Sequence, residues 1–227
     1  MSAKLNLPEV TLLIFNPAHG AEVSGRVLCW LDKRIAFGGI VHMTDRRPDI
    51  DVPGRLVIVP KCDWKQAQEI QALQLHQYFE TPFMLHIETD GFPINMERWE
   101  PGFLDYDYIG APWPPRLVSF GDDRVGNGGC SLQSRKLRML LWENRHLYGG
   151  EPSDVWFTRN RSLRPVLDAA GVKVAPMDVA LRFSFENDLP EFPGWSHDKS
   201  FGFHGKSAEC QRFIEATQHL GRGGQNA

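Results

Sequence analysis

Glu88-Thr89-Asp90 puts two carboxylates one residue apart at the end of an apolar run, Pro82-Phe83-Met84-Leu85-His86-Ile87. An extended strand delivers its last residues to the C-terminal edge of a sheet, where α/β folds gather ligands, and paired acids there could hold a divalent cation. Asp90-Gly91 is also an ordinary hairpin turn signal, so these residues alone leave metal site and turn both open. In Gly126-Asn127-Gly128-Gly129, the three glycines would let backbone approach a ligand closely, or simply make a tight turn. The loop is expected to run into a helix over residues 132–144, whose first N–H groups would favour a phosphate or a hydroxyl-rich substrate. It has neither the Gly-Lys-Ser/Thr of a Walker loop nor the spacing of a dinucleotide fingerprint. Ser153 and Asp154 read as N-cap and first-turn acid of a helix over residues 153–161. Asp154 is equally a candidate general base, taking a proton from an acceptor hydroxyl. His204, set among Gly202, Phe203 and Gly205, is either a satisfied polar residue or an imidazole ligand for a metal already held by carboxylates. Trp99, Trp113, Trp156 and Trp195 could offer indole faces to a sugar ring or a base, or fill the core.

The elements that must carry these groups alternate. Residues 10–15 read as a strand, turned by Asn16-Pro17 into a helix over residues 21–33. Strands follow at 39–44 and 55–59, then a helix over 64–79 and the strand that ends at Glu88. This alternation predicts a single α/β domain with a central, mostly parallel, twisted sheet flanked by helices. Gly, Pro and aromatic residues cluster in segments 103–115 and 189–205, which read as pocket walls. Residues 1–8 are expected to be flexible, 9–220 to form the domain, and 221–227, without an apolar anchor, to be a loose tail.

With 227 residues and 42% hydrophobic content, the chain is long enough to bury a core. Its net charge of -3, with both signs interspersed, gives no global pull toward nucleic acid or an anionic membrane. Arg46 with Arg47, Arg135 with Lys136 and Arg138, and Arg159 with Arg161 and Arg164 are local basic clusters that could meet phosphate or be solvated faces. No run approaches the roughly 18 apolar residues of a membrane span. The first residues lack the apolar core of a signal peptide, so a soluble, cytoplasmic protein is expected. Cys29, Cys62, Cys130 and Cys210 lie far apart and read as buried free thiols.

Taken in order, Glu88-Thr89-Asp90, Asp107-Tyr108-Ile109-Gly110-Ala111-Pro112-Trp113, Gly126-Asn127-Gly128-Gly129, Ser153-Asp154, Phe183-Ser184-Phe185-Glu186 and Phe201-Gly202-Phe203-His204-Gly205 form a familiar series. It resembles a largely uncharacterised bacterial and viral family, catalogued as a domain of unknown function, that looks like the GT-A glycosyltransferases. The likeness runs from about residue 10 to 206. It implies a GT-A-like fold in which an acidic-x-acidic motif binds a divalent metal, Mn²⁺ or Mg²⁺, on the diphosphate of a nucleotide sugar. Asp90 would be a direct ligand, Glu88 would serve the metal, the ribose or a metal-bound water, and His204 would complete the site. Gly126, Asn127, Gly128 and Gly129 would line the donor-sugar and acceptor pocket. Asn16 and Asp45 would lie beside the nucleotide, most simply that of a UDP-sugar. Where the family usually has Glu-Asp this chain has Ser153-Asp154, which leaves Asp154 as the single candidate base and suits an inverting displacement.

The resulting expectation is a metal-dependent glycosyltransferase with an unidentified hydroxyl acceptor. A glycan, a protein or a small molecule would fit, as would a hydroxymethylated base in DNA, which the net charge does not favour. The alternatives are a non-catalytic nucleotide- or sugar-binding module of the same fold, and a nucleotidyltransferase. A glycoside hydrolase is disfavoured, because it would need two facing carboxylates.

Overall fold

The computed structural model describes residues 3–17, 20–115 and 124–218. Its first strand, β1 (Leu5–Asn16), is buried on both faces from Val10 onward. Leu12 and Ile14 join one core together with Val27, Leu28 and Leu31 of α1 (Ala21–Asp32). Leu13 and Phe15 join a second core, against which Ala67 and Ile70 of α2 (Trp64–Leu73) pack. A strand covered on both sides has no reason to alternate polar with apolar residues, which is why Leu12-Leu13-Ile14-Phe15 is one apolar run.

β2 (Ile35–Thr44) pairs with β1 in parallel, and β3 (Arg55–Ile58) extends the sheet on that side. β4 (Phe83–Ile87) pairs in parallel with the other edge of β1. After β5 (Gly91–Pro93), which leaves this sheet, come β6 (Tyr108–Ile109) and β7 (Cys130–Ser134). β7 is antiparallel to both β4 and β6, giving the order β3-β2-β1-β4-β7-β6, a mostly parallel sheet with helices on its faces. α3 (Arg135–Glu143), α4 (Ser153–Arg159), α5 (Arg164–Ala169) and α6 (Met177–Phe183) follow. A small second sheet joins β8 (Ser184–Phe185) and β9 (Gly202–His204) to β5, and α7 (Ala208–Gln218) packs on α1.

Several boundaries differ from those the sequence suggests: β2 begins at Ile35, not at residue 39, and three others bear on the site. β1 begins at Leu5, not at residue 10, so residues 5–8 of the segment expected to be flexible are strand. Pro8 interrupts the pattern and the pairing with β2 shifts between Leu7 and Thr11, where Gly38 lets the Pro8 carbonyl come close; a Cβ on Gly38 would lie 2.0 Å from that oxygen. The glycine loop does not run into a helix: Cys130–Ser134 is a strand, held between β4 and β6, and the helix starts only at Arg135. Ser134 caps it, its hydroxyl accepting the Leu137 N–H at 3.0 Å. The helix expected over 64–79 stops at Leu73, followed by a 3₁₀ turn at Leu75–Gln77. The segment 221–227 lies outside the described residues. All four cysteines are free; Cys130 and Cys210 are buried, whereas Cys29 and Cys62 are only half-buried. No described helix is long and apolar enough to cross a membrane.

Candidate functional site

From β1 the chain builds outward to β2 and β3, then α2 carries it back across to β4 on the other side. The strand order therefore reverses between β1 and β4, and the crevice outside the C-terminal ends of these two strands is where an open α/β sheet takes its ligand. Asn16 ends β1, and Glu88 follows the last residue of β4. Both line a cleft of about 610 Å³ together with Phe15, Trp64, Asp90 and Lys206. A second chamber of about 230 Å³ opens beside it, lined by His86, Asn127, Gly128, Gly129, Gln133, Arg138 and Asp154. Glu88, Trp64, Gln68 and Gln71 line both spaces, so the two meet at the end of β4 under the first turns of α2. A full capping box between Asp63 and Gln66 fixes that helix start, and with it Trp64, which is 63% exposed and presents an indole to both spaces.

Glu88, Asp90 and His204 converge where the chambers meet, one ligand atom from each lying within 4.8 Å of the others. β9 delivers His204 by pairing it with Gly91, the residue after Asp90, and the Gly205 N–H donates to the Asp90 carbonyl at 2.9 Å. Close backbone approach makes room for the ring: a Cβ on Gly129 would lie 2.2 Å from His204 Cδ2 and 2.3 Å from Nε2. His204 Nε2 is 3.6 Å from Glu88 Oε2, and Nδ1 is 3.2 Å from Glu186 Oε1. Burial disfavours charge on this imidazole, but hydrogen bonds to Glu186 and Glu88 and the charges of both outweigh it, raising the pKa to about 10. Asn127 Nδ2 donates to Glu186 at 2.8 Å, and Asn127 Oδ1 accepts the Gly129 N–H at 2.9 Å, so the glycine loop holds the carboxylate that orients the histidine. Two carboxylates and one imidazole, with a carboxylate behind the imidazole, are a donor set that fits Mn²⁺ or Mg²⁺. Lys206 Nζ, 3.6 Å from Asp90 Oδ2, adds an exposed cation on the side of the larger cleft.

Asp154 faces the smaller chamber from the first turn of α4. Its carboxylate accepts the Gly128 N–H at 3.2 Å and the Val155 N–H at 2.8 Å. Burial raises its pKa against the pull of those hydrogen bonds, and the charge of Glu88 raises it further. His86, two residues before Glu88, donates from Nδ1 to the Gly128 carbonyl at 2.9 Å, and burial lowers the pKa of its ring. Arg138 is 3% exposed; it donates to the Gln71 carbonyl at 2.7 Å, and burial brings its pKa down to about 10.

The residues singled out from sequence thus separate. Asn16, Glu88, Asp90, Asn127, Gly128, Gly129, Asp154 and His204 line the two chambers. Asp45 lines neither; it lies past the end of β2, where its carboxylate accepts the Thr44 hydroxyl at 3.4 Å. Gly126 also lines neither, and its missing side chain makes room for Trp113, whose ring a Cβ would meet at 2.5 Å. The phosphate-binding helix start expected behind the glycines is absent, because the loop enters β7 and the Gly128 and Gly129 N–H groups are taken by Asp154 and Asn127. Ser153 is not the N-cap; Pro152 holds that position, and the Ser153 N–H donates to Gln68 at 2.8 Å, tying α4 to α2. Of the tryptophans, Trp156 is buried and Trp99 stacks in an aromatic cluster with Phe103 and Phe201, while the indole at the chambers is Trp64. The basic clusters disperse: Arg46 pairs with Glu22, Arg135 donates to the carbonyls of His76 and Phe79, and Arg138 is interior. Sequence reading assigned no role to His86, Glu186, Gln133 or Trp64, although Glu186 closes one of the motifs that carry the resemblance. A polar His two residues before Glu88, inside an apolar strand and on the same face by period 2, was the available signal.

The profile of the family described as "Protein of unknown function (DUF5672)" matches residues 68–204, more than half of the chain and the span that holds Glu88, Asp90 and His204. No curated protein sequence matches. Among solved structures, a glycosyltransferase involved in the glycosylation of the major capsid of PBCV-1 is similar at 10% identity and a TM-score of 0.47, covering 93% of this chain and 99% of that one. The apo-form glycosyltransferase GlyE of Streptococcus pneumoniae TIGR4 is similar at 13% identity and 0.49, covering 96% and 60%. The mannosyltransferase PcManGT of Pyrobaculum calidifontis, solved with GDP-Man and Mn²⁺, is similar at 13% and 0.42, covering 76% and 57%. The chain spans less than two thirds of the length of the latter two proteins.

Proposed function

The chain belongs to the DUF5672 family, and we propose that it is a metal-dependent glycosyltransferase that moves a sugar from a nucleotide-sugar donor, most simply a UDP-sugar, to a hydroxyl acceptor. The observation that carries this reading is the convergence of Glu88, Asp90 and His204 at the junction of two chambers, with a partly buried carboxylate, Asp154, on the wall of the smaller one. The larger cleft suits a nucleoside, with Asn16 at the end of β1 on its wall and Trp64 able to stack on a flat ring. Glu88, Asp90 and His204 would hold Mn²⁺ or Mg²⁺, whose Lewis acidity supplies several kcal/mol of stabilisation to a departing nucleoside diphosphate. Lys206, beside Asp90, adds positive charge on the same side.

Asp154 takes the proton of the acceptor hydroxyl. Its two backbone hydrogen bonds fix the carboxylate, and its raised pKa brings it closer to neutral pH, which strengthens it as a base. A single base across from the leaving group suits inversion at the anomeric carbon.

Melting temperature measured with UDP, GDP, ADP and CDP, each with and without Mn²⁺, tests the donor site. A ligand at a hundredfold excess over its Kd adds about 2.7 kcal/mol, a rise of roughly 5–10 °C for a domain of this size. A rise that needs both nucleotide and metal is expected, and no such rise with any nucleotide refutes the proposal. Turnover should release a nucleoside diphosphate; release of pyrophosphate would mark a nucleotidyltransferase instead.

A further inference from the structure

Trp64, Gln68 and Gln71 stand at positions i, i+4 and i+7 of α2 and share the helix face that borders both chambers. Ser153, the first residue of α4, sets how the two amides are turned. Its backbone N–H donates to Gln68 Oε1 at 2.8 Å, and its hydroxyl donates to Gln71 Oε1 at 3.2 Å. A backbone N–H can only donate, so the Gln68 amide offers its oxygen to α4 and turns its NH₂ group away from it. Neither Nε2 has a hydrogen-bond partner among the described residues, and neither is sealed from solvent. Gln71 is 8% exposed, so the little surface it keeps belongs to the cavities it lines; Gln68 lies one turn earlier on the same face.

Other donors around the smaller chamber are already spent. Asp154 and Asn127 take the N–H groups of Gly128 and Gly129, and Glu186 takes the Asn127 amide. The carboxylates of Glu88 and Asp154 stand on the same walls. The junction of the chambers therefore offers neutral donors from α2 opposite anionic acceptors from the end of β4 and from α4.

A phosphate or carboxylate in the smaller chamber would meet those carboxylates, and neutral amides do not offset that repulsion. A hydroxyl group suits both walls at once, because it accepts from an amide and donates to a carboxylate. The space, about 230 Å³, is of a size for a single ring and not for an oligosaccharide.

We infer that Gln68 and Gln71, held by Ser153, donate their amide hydrogens to the hydroxyl oxygens of one sugar ring seated at the junction of the chambers. That this ring is the sugar being transferred rests on the glycosyl-transfer reading; the orientation of the amides does not.

Two arms test this. Calorimetry with Mn²⁺ gives the ratio of UDP-glucose to UDP affinity, and of GDP-mannose to GDP affinity, for the wild type, Gln68→Met and Gln68→Glu. Reading the ratio cancels any effect of a substitution on the nucleotide itself. Gln68→Glu keeps an oxygen for the Ser153 N–H and so keeps the tie between α2 and α4, whereas Gln68→Met loses it; both lose the amide hydrogens. Both should lower the ratio roughly tenfold. A full ratio in either variant overturns the inference, and loss in Gln68→Met alone would make the side chain a strut between two helices and nothing more. The second arm follows the side-chain NH₂ resonances of Gln68 and Gln71 in the ¹⁵N-labelled wild type. Spectra with Mg²⁺ and UDP are compared with those with Mg²⁺ and UDP-glucose, and free glucose or mannose is added separately to the protein alone. Sugar should move the Gln68 and Gln71 resonances and leave those of Gln66, whose amide serves the α2 capping box and lines neither chamber. The inference falls if no sugar, free or nucleotide-linked, moves the Gln68 resonances, or if Gln66 moves as far. Failure of every nucleotide to bind would bring down the donor reading, and free glucose and mannose would then decide the inference by themselves.

Discussion

Gly129→Ala isolates one contact on which the proposed metal site turns, the fit of the His204 ring against the glycine loop. Gly129 does not have a positive φ, so alanine is conformationally acceptable and its effect is steric. The added Cβ would lie 2.2 Å from His204 Cδ2 and 2.3 Å from Nε2, whereas ordinary contact begins at 3.4 Å. The ring must retreat by about 1 Å, and the opposite side is occupied by Glu186, 3.2 Å from Nδ1. Overpacking of this kind costs roughly 1–3 kcal/mol, which for a domain of this size lowers the melting temperature by roughly 2–12 °C. Displacing one ligand of three should also weaken Mn²⁺ binding, by at least the roughly 10–100-fold seen when the support of a ligand is lost. The loss of free Mn²⁺ signal in electron paramagnetic resonance measures the affinity directly. Gly102→Ala is the control: its Cβ would meet only Asp105 Oδ2, at 3.7 Å, and both stability and metal affinity should stay near wild type. A Gly129→Ala protein that melts lower, as expected, yet binds Mn²⁺ like the wild type would remove His204 from the ligand set.

Asp154→Asn should lower turnover roughly 10²–10⁴-fold while nucleoside diphosphate and Mn²⁺ still bind, as expected for loss of a base; unchanged turnover would assign the proton transfer elsewhere. Glu186→Gln should weaken Mn²⁺ binding by roughly 10–100-fold, because Glu186 bridges His204 Nδ1 and Asn127 Nδ2; the reasoning fails if affinity is unaltered. His42, 1% exposed and hydrogen-bonded to Ser24 at 2.7 Å, has its pKa lowered by burial to about 4 from an ordinary 6.5. Between those two values the unfolded chain binds a proton that the folded one refuses, so this stabilising contribution is complete above pH 6.5 and is lost as pH falls toward 4. The slope is at most about 1.4 kcal/mol per pH unit. Urea melts between pH 4.5 and 7 should show a shallower decline for His42→Gln than for the wild type, and parallel curves would contradict the assignment.

Where one physical cause dominates, the sequence is easy to read. The second half of β1, from Val10, and most of β4 are buried between the cores that α1 and α2 cover, so both stretches are mostly apolar, and polar groups mark where the strands reach the crevice, at Asn16 and at Glu88. The same reasoning misplaced β7, because Cys130-Ser131-Leu132-Gln133-Ser134 carries no β-branched residue and its alternation amounts to only two apolar positions, Cys130 and Leu132. That segment is a strand because β4 and β6 flank it and satisfy its backbone, a tertiary cause that no local pattern records.

The site divides along the same line. Glu88, Asp90 and Asp154 are legible because a carboxylate at the end of a strand or the start of a helix is chemically conspicuous. Glu186 and His86 are not, since their importance lies in what they touch: a histidine eighteen residues away in one case and a glycine carbonyl forty-two residues away in the other. Arg138 is the sharpest instance. In sequence it belongs to a basic triplet with Arg135 and Lys136, which suggests a solvated face. On α3, however, a step of three residues stays on one side of the helix, and Arg138 lies with buried Leu137 and Leu141. A guanidinium among leucines on the inner face of a helix is costly to desolvate and has to be answered by something in the interior. Here the Gln71 and Ala72 carbonyls answer one nitrogen, and the guanidinium lies 5.7 Å from the centroid of the Phe157 ring. The informative feature was therefore the conflict between a charged residue and the buried face it occupies, and not the run of basic residues around it.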